Sequence, residues 1–104
     1  MKMDPFILDF FAHVYVLTTP GHNVFYIGVS TDLKKRILDH QNGGSEFTSR
    51  YGVFKLVYFE GFQRIEDAIH REKLLKKWKR TWKIEMISEF NPEWKDLSHD
   101  VLQS

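Results

Sequence analysis

The stretch HVYVLT-TPGHN-VFYIG, residues 13–28, decides the fold of this chain. Its two ends, His13–Thr18 and Val24–Gly28, are rich in β-branched and aromatic residues, a composition typical of β-strands. Between them, Pro20 and Gly21 favour a turn, because proline presets a negative φ and glycine accepts a positive one. The stretch therefore predicts a β-hairpin.

The position of the turn also predicts which residues face each other across the hairpin. A turn centred on Pro20-Gly21 places Tyr15 directly opposite Tyr26. Directly opposed residues point to the same face of the sheet, so the two phenols are expected to be neighbours. A one-residue bulge would turn them to opposite faces.

The rest of the chain predicts a helix, a third strand and two further helices. The first helix is predicted over Leu33–Gln41, with Ser30 or Thr31 as its N-cap, and Asn42-Gly43-Gly44 ends it. The third strand is predicted over Phe54–Phe59. The two further helices are predicted from Ile65 to about Arg80 and from Thr81 or Trp82 to Phe90, and Pro92 ends the last one. The predicted fold class is α+β, a small domain with a three-stranded antiparallel sheet flanked by helices. We divide it into an N-terminal extension (1–12), a domain (13–97) and a C-terminal tail (98–104) that frays after Leu97.

Length and composition exclude several classes of protein. The 104 residues suit one domain, and 42% hydrophobic content argues against disorder. The absence of cysteine excludes disulfides, cysteine-ligated zinc and thiol catalysis, and it fits a cytoplasmic location. No apolar run approaches the roughly 18 residues that span a membrane, so we expect no membrane contact.

The charges are strongly segregated although the net charge is only +1. Seven of the 15 basic residues fall within thirteen positions: Arg71, Lys73, Lys76, Lys77, Lys79, Arg80 and Lys83. Such a block is either a solvated helix face or a surface that binds a polyanion. Composition alone leaves both interpretations open.

Three polar residues break the apolar pattern of the helices. On a helical wheel Glu72 lies within the apolar stripe of its helix, where a charge has to be ion-paired, hydrated in a cleft or bound to a metal. Arg36 and His40 border the apolar stripe of the preceding helix and share one face, since they are four residues apart. Each of the three could equally be a residue at the edge of the core with satisfied polar groups.

Taken together, these elements resemble the GIY-YIG nuclease superfamily, and in particular small stand-alone members related to the N-terminal catalytic domain of the bacterial excision-repair incision nuclease. The resemblance spans residues 13–97. It rests on Val14-Tyr15-Val16, Tyr26-Ile27-Gly28, Asp32-Leu33 followed by Arg36 and His40, Arg71-Glu72-Lys73, Phe54–Tyr58, Lys76-Lys77-Trp78 and Asn91-Pro92 followed by Trp94, Asp96 and Leu97. One departure is His13, which stands where the first motif has glycine; it could crowd the substrate or join the chemistry.

The resemblance implies a metal-dependent endonuclease that hydrolyses phosphodiester bonds in DNA with weak sequence specificity. Carried over by position, Glu72 would be the single protein ligand of Mg²⁺ or Mn²⁺, and Arg36 would hold the scissile phosphate. Tyr15 would take the proton from the attacking water, and Tyr26 would orient the water or the phosphate. His40 would hydrogen-bond Tyr15 or relay its proton. Both helices are then expected to pack on the strand face that carries the two tyrosines.

Within this interpretation the basic block becomes a nucleic-acid-binding surface. Its predicted phosphate contacts are Lys73, Lys76, Lys77 and Arg80, which lie beside Glu72 on the helical wheel. Phosphate contacts position a nucleic acid without reading its sequence, in keeping with weak sequence specificity.

Two other classes of function stay open from the sequence. The first is a non-catalytic nucleic-acid-binding module on the same fold. The second is a protein-interaction domain in which Phe6–Phe11 binds a partner or a second copy, although that segment could equally be an extra helix packed on the domain. A zinc hydrolase is disfavoured, because the five histidines show no spacing typical of zinc ligands.

Overall fold

A computed structural model describes residues 9–42 and 55–104 of the chain. Its elements are β1 (Ala12–Thr18), β2 (Phe25–Ser30), α1 (Leu33–Gln41), β3 (Lys55–Phe62), α2 (Ile65–Lys77), α3 (Arg80–Phe90) and α4 (Ser98–Leu102). The strands form one antiparallel sheet in the order β2-β1-β3, which confirms the predicted α+β fold. The predicted helix stop at Gly43-Gly44, the start of the third strand at Phe54, and Phe6–Leu8 lie outside the described residues. No helix within the described ranges is long and apolar enough to cross a membrane.

The central strand β1 is buried on both faces and divides the core in two. Because side chains alternate along a strand, Val14 and Val16 point to one face and Tyr15 to the other. Val14 and Val16 pack with Ala68 and Leu75 of α2. Tyr15 packs in a separate cluster that includes apolar residues of α1 and α4. The expectation that both helices pack on the face of the tyrosines is therefore wrong: α1 covers that face and α2 covers the opposite one.

The hairpin has a register that differs from the predicted one by two positions. Tyr15 pairs with Gly28, and Leu17 pairs with Tyr26. The difference arises in the loop, where the Thr19 N–H donates to the Val24 carbonyl at 3.3 Å. The loop that this hydrogen bond closes has four residues, whereas the predicted turn has two. A shift of two preserves the facing of every side chain. The two phenols therefore still share a face as diagonal neighbours, with ring centroids 6.1 Å apart.

Two helix ends differ from the prediction. Asp32, not Ser30 or Thr31, is the N-cap of α1, and its Oδ1 accepts a hydrogen bond from the Lys35 N–H at 3.2 Å. The next helix, α2, ends at Lys77 instead of continuing to about Arg80. Trp78 and Lys79 have extended ψ values of 148° and 149°, which break the helix before α3 begins.

The expected fraying after Leu97 is also wrong. Asp96 fastens this part of the chain, because its Oδ1 accepts hydrogen bonds from the backbone N–H groups of Leu56 and Ser98, each at 3.0 Å. Helix α4 follows at once, and its Val101 is fully buried in the cluster that contains Tyr15. Residues 98–102 thus contribute to the core, while the bounds of the domain stay a prediction.

Candidate active site

The site is built around the buried phenol of Tyr15, which is 1% exposed. This side chain lies across the backbone of Gly28 on β2: a Cβ placed there would lie 2.5 Å from Tyr15 Oη and 2.6 Å from Cζ. Only glycine permits so close an approach. Glycine within a strand is a sequence signal for such an approach, and it would have singled out Gly28 as a site residue. Because β2 is an edge strand, the hydroxyl of Tyr15 is carried to the edge of the sheet.

Two further rings enclose this phenol. Tyr15 Oη lies 3.1 Å from His40 Nε2, so the predicted hydrogen bond between them is present. Tyr26 lies with its ring centroid 5.3 Å from that of His40. His40 is 2% exposed and occupies the last turn of α1, on the side facing the sheet. The three side chains form one aromatic cluster on the α1 face.

Burial and three neighbours shift the pKa of the Tyr15 hydroxyl. Burial raises the pKa of Tyr15 above its ordinary value, and Tyr26 and Glu72 raise that pKa further. The positive charge of Arg36 lowers it. The phenol is therefore protonated at neutral pH. The contacts of Tyr15 with His40 and Tyr26 are thus direct, whereas Arg36 and Glu72 act on its hydroxyl through their charge.

Arg36 reaches the site from the exposed side of α1. It lines a groove of about 460 Å³ along the β2 edge, together with Ser30, Lys35, Asp39 and Ile65, the last from α2. Its guanidinium makes no hydrogen bond or ion pair with any residue in the described ranges. Its donors face a groove open to solvent, where a phosphate could accept from them.

Glu72 reaches the site from α2, on the other face of the sheet. Its side chain is 20% exposed, and its Oε1 lies 3.5 Å from the ammonium of Lys76 one turn later. The two helices thus cover different faces of the sheet, and Ile65 of α2 lines the same groove as Arg36 of α1. No group of three or more His, Asp or Glu side chains within residues 9–42 and 55–104 is arranged to hold a metal. A divalent ion on Glu72 would keep most of its water ligands, as Mg²⁺ prefers, so this carboxylate fits the expected ion.

The four predicted phosphate contacts are in different situations. Lys73 and Lys77 are exposed on α2, and Lys76 carries the ion pair with Glu72. Arg80 instead holds the hairpin loop: its guanidinium donates to the carbonyls of His22 and Asn23 and lies 4.6 Å above the ring of Phe25. The structure therefore brings three of the four to an exposed helix flank and engages the fourth, although it is exposed, with the hairpin loop.

His13, the departure from the motif, lies near the start of α1. Its ring is buried, with centroids 6.4 Å from those of Phe10 and of Phe59. It lines a cavity with Thr31 and Leu33. His40, the histidine that contacts Tyr15, lies at the other end of this helix.

The burial of His40 has a measurable consequence for stability. Burial and the nearby charge of Arg36 lower the pKa of His40, while Asp39 raises it in part. An unfolded histidine titrates near 6.5, so below about pH 6.5 the unfolded state binds a proton that the folded state refuses. We expect the free energy of unfolding to fall between pH 7.5 and 5.5, with a slope of up to about 1.4 kcal/mol per pH unit from this residue.

Urea unfolding across that pH range measures this effect. The variant His40→Gln, which cannot titrate, is expected to lose less stability on acidification than the unaltered protein. His22→Gln is the comparison. The pKa of His22, at the hairpin loop, is also lowered, mainly by burial and further by the charge of Lys55. An unchanged slope in His40→Gln would contradict the assignment.

Comparisons with known proteins agree with this fold. The family described as "GIY-YIG catalytic domain" matches residues 11–85. A UPF0213 protein of Streptococcus pneumoniae serotype 4 is 39% identical over 83 residues, which cover 79% of this chain and 83% of that protein. A UPF0213 protein of Clostridium perfringens is 40% identical over 77 residues, covering 73% and 82% of the two chains.

A solved structure is similar as well. The solution NMR structure of a UPF0213 protein from Bacillus halodurans superimposes with a TM-score of 0.55 at 28% sequence identity, covering 84% of this chain and 93% of that one. The matched segment 11–85 contains all five predicted catalytic residues. The chain therefore belongs to the UPF0213 family and carries a GIY-YIG catalytic domain.

Proposed function

We propose that this protein is a metal-dependent endonuclease that hydrolyses phosphodiester bonds in DNA with little sequence preference. The observation that carries the proposal is the cluster of Tyr15, His40 and Tyr26, on whose buried phenol the charges of Arg36 and Glu72 act. These residues lie in a chain that carries the catalytic domain of a nuclease superfamily.

Two charged residues from opposite faces of the sheet bind the substrate and the ion. Arg36 holds the scissile phosphate, because its planar donors match phosphate oxygens and strengthen their contacts as negative charge develops. Glu72 holds Mg²⁺ or Mn²⁺. When bound, the ion stabilises negative charge on the phosphate and on the leaving oxygen.

The aromatic cluster moves the proton. The raised pKa of Tyr15 disfavours a free phenolate. His40 Nε2 lies 3.1 Å from the phenol oxygen and is neutral near pH 7. Tyr15 therefore takes the proton of the attacking water as its own hydroxyl proton passes to His40 Nε2, and Tyr26 orients the water beside it. This relay avoids a full phenolate, and the imidazolium that it forms is short-lived because burial and Arg36 lower the pKa of His40.

A panel of labelled nucleic acids tests the proposal. It contains supercoiled, nicked, branched and single-stranded DNA together with RNA, each with Mg²⁺, with Mn²⁺ and with a chelator. We expect cleavage of DNA that requires the metal and disappears with the chelator. Binding without cleavage under every metal would contradict the endonuclease and favour the non-catalytic nucleic-acid-binding module.

The exposed lysines of α2 give a separate prediction about binding. Lys73→Ala combined with Lys77→Ala is expected to weaken DNA binding by a similar factor for all sequences. Each lost phosphate contact lowers the slope of log affinity against log salt by about 0.9, so the pair lowers it by about 2. Salt titrations by fluorescence anisotropy measure this. Lys34→Ala is the control, since Lys34 lies on α1 and donates to the carbonyl of Ser104. A loss confined to particular sequences would contradict the prediction.

A further inference from the structure

Arg71, the residue before Glu72, is held by three parts of the fold at once. Its Nε donates to Glu60 Oε2 of β3 at 3.3 Å, and its Nη2 lies 3.8 Å from the sulfur of Met86 on α3. The guanidinium also lies 5.2 Å above the ring of Trp78, at the break after α2. Tyr58 completes the arrangement by donating its hydroxyl to the same Glu60 oxygen at 2.5 Å.

This network is well suited to fix the orientation of a helix. The Arg71 and Glu60 side chains are only 28% and 32% exposed, so water screens their attraction less than on an open surface. A guanidinium with directed contacts to a carboxylate, a sulfur and an aromatic face has little freedom left. The Glu72–Lys76 pair is looser, because the lysine is largely exposed and reaches along the same helix.

Arg71 and Glu72 lie on opposite flanks of the buried stripe of α2. Consecutive residues are about 100° apart around a helix, and Ala68 and Leu75 project between the two. Arg71 contacts β3 at one edge of the sheet, whereas Glu72 acts on Tyr15 at the other edge. The anchor on the β3 side thus sets the angle at which the carboxylate is presented at the β2 side.

Small rotations of α2 about its axis displace the ends of its side chains appreciably. A side chain ends about 5–6 Å from the helix axis, so a rotation of about 10° moves it by about 1 Å. A displacement of about 1 Å of a catalytic group costs up to about 10²-fold in rate. The core residues Ala68 and Leu75 are apolar and set the rotation less strictly than directed polar contacts.

We propose that the ion pair of Arg71 with Glu60, supported by Tyr58, is the device that fixes the rotation of α2 and with it the position of the Glu72 carboxylate. Arg71 is then a positioning residue for the active site, not a phosphate contact of the basic block. The inference rests on the proposed role of Glu72 for its effect on cleavage. Its effect on the helix is independent of that role.

The metal-free protein decides the structural part. Residual dipolar couplings of backbone amides report the orientation of α2 relative to the sheet. In Arg71→Lys, which keeps the charge and loses the planar donors, and in Glu60→Gln, we expect α2 to rotate by about 10°. Ile87→Val is the control: it trims a fully buried α3 residue of the same core and removes no hydrogen bond or ion pair of the network. An unrotated α2 in both variants would overturn the proposal.

Two readouts connect the rotation with the site. Mn²⁺ titrated into the ¹⁵N-labelled protein broadens amides near its binding site, and we expect half-maximal broadening around Glu72 to need several-fold more Mn²⁺ in Arg71→Lys. For cleavage we expect kcat to fall about tenfold while KM stays within about twofold. An equal loss of kcat in Ile87→Val would reduce the network to a stability effect and overturn the proposal. If α2 rotates in the variants while Mn²⁺ broadens no amide near Glu72 of the unaltered protein, the proposed function fails and the positioning of α2 stands.

Discussion

Replacing Glu72 by alanine is expected to abolish metal-dependent cleavage and to leave the protein folded. The carboxylate is 20% exposed, and among the described residues its ion pair is with the largely exposed Lys76 at 3.5 Å. Such a pair within a helix contributes about 0.3–0.5 kcal/mol, so its loss changes the free energy of unfolding little. The loss of a group that stabilises transition-state charge through its metal is expected to lower kcat by roughly 10²–10³-fold or more.

Circular dichroism, thermal unfolding and the cleavage panel measure these effects on the same preparations. Glu66→Ala is a matched control, because Glu66 lies on the same helix and pairs with Arg64 at the same distance of 3.5 Å, away from the site. It is expected to cleave at the rate of the unaltered protein. If Glu72→Ala fails to fold, Glu72 is a structural ion-pair partner. If it folds and cleaves with Mg²⁺, the ion is held elsewhere. Either result would contradict the assignment.

The hairpin shows which part of the site the sequence predicts well. Spacing alone indicates two strands with Tyr15 and Tyr26 on one face, and the structure has that arrangement. The exact pairing is not predictable in the same way, because it depends on the loop. Pro20-Gly21 suits a two-residue turn, whereas His22 adopts a φ of 59° and lengthens the loop to four residues. Tyr15 and Tyr26 still lie on one face of the sheet, because the predicted and observed registers differ by an even number of residues.

The relation between the helices could not be predicted from their patterns. A helical wheel shows that Glu72 and Arg36 border buried stripes, and the structure agrees that each helix packs on the sheet there. The wheel does not indicate which face of the sheet a helix covers, and α1 and α2 cover different faces. Charge counts have the same limit. They place Arg71 and Arg80 among the basic residues, whereas in three dimensions Arg71 is paired with Glu60 and Arg80 is hydrogen-bonded to the hairpin loop.

Introducing a single methyl group at Gly28 is expected to damage the site as much as losing a charged residue does. In Gly28→Ala the new Cβ would lie 2.5 Å from Tyr15 Oη, 2.6 Å from Cζ and 3.0 Å from Cε1. The Tyr15 ring is buried and hydrogen-bonded to His40, so the clash has to be relieved by moving the phenol or strand β2. Overpacking of this kind lowers the free energy of unfolding by about 1–3 kcal/mol. A Gly→Ala substitution also restricts the unfolded chain, which offsets about 0.4–1 kcal/mol of that loss. A phenol displaced by about 1 Å is expected to lower kcat by about 10²-fold.

Gly61→Ala is the control that distinguishes the effect of a steric overlap elsewhere in the fold from the effect of an overlap in the site. There the new Cβ would lie 2.3 Å from Cδ2, 2.4 Å from Cγ and 2.8 Å from Cβ of Phe10, a residue that is 37% exposed and makes no contact with Tyr15 in the aromatic cluster. This variant is expected to lose stability by a similar overlap and to keep its cleavage rate, with both proteins assayed well below their unfolding temperatures. Full activity in a folded Gly28→Ala protein would contradict the close approach of Tyr15.

A double-mutant cycle then assigns the stability loss to the contact itself. Tyr15→Ala is destabilising on its own, because it leaves a cavity in the core. It also removes the three atoms nearest to the Gly28→Ala methyl group, all of which belong to the Tyr15 side chain. The second substitution should therefore cost about 1–3 kcal/mol less in the Tyr15→Ala background than in the unaltered protein, measured by urea unfolding. Additive effects would mean that the methyl group is accommodated without touching the phenol, and the requirement for glycine beside Tyr15 would have to come from the substrate instead.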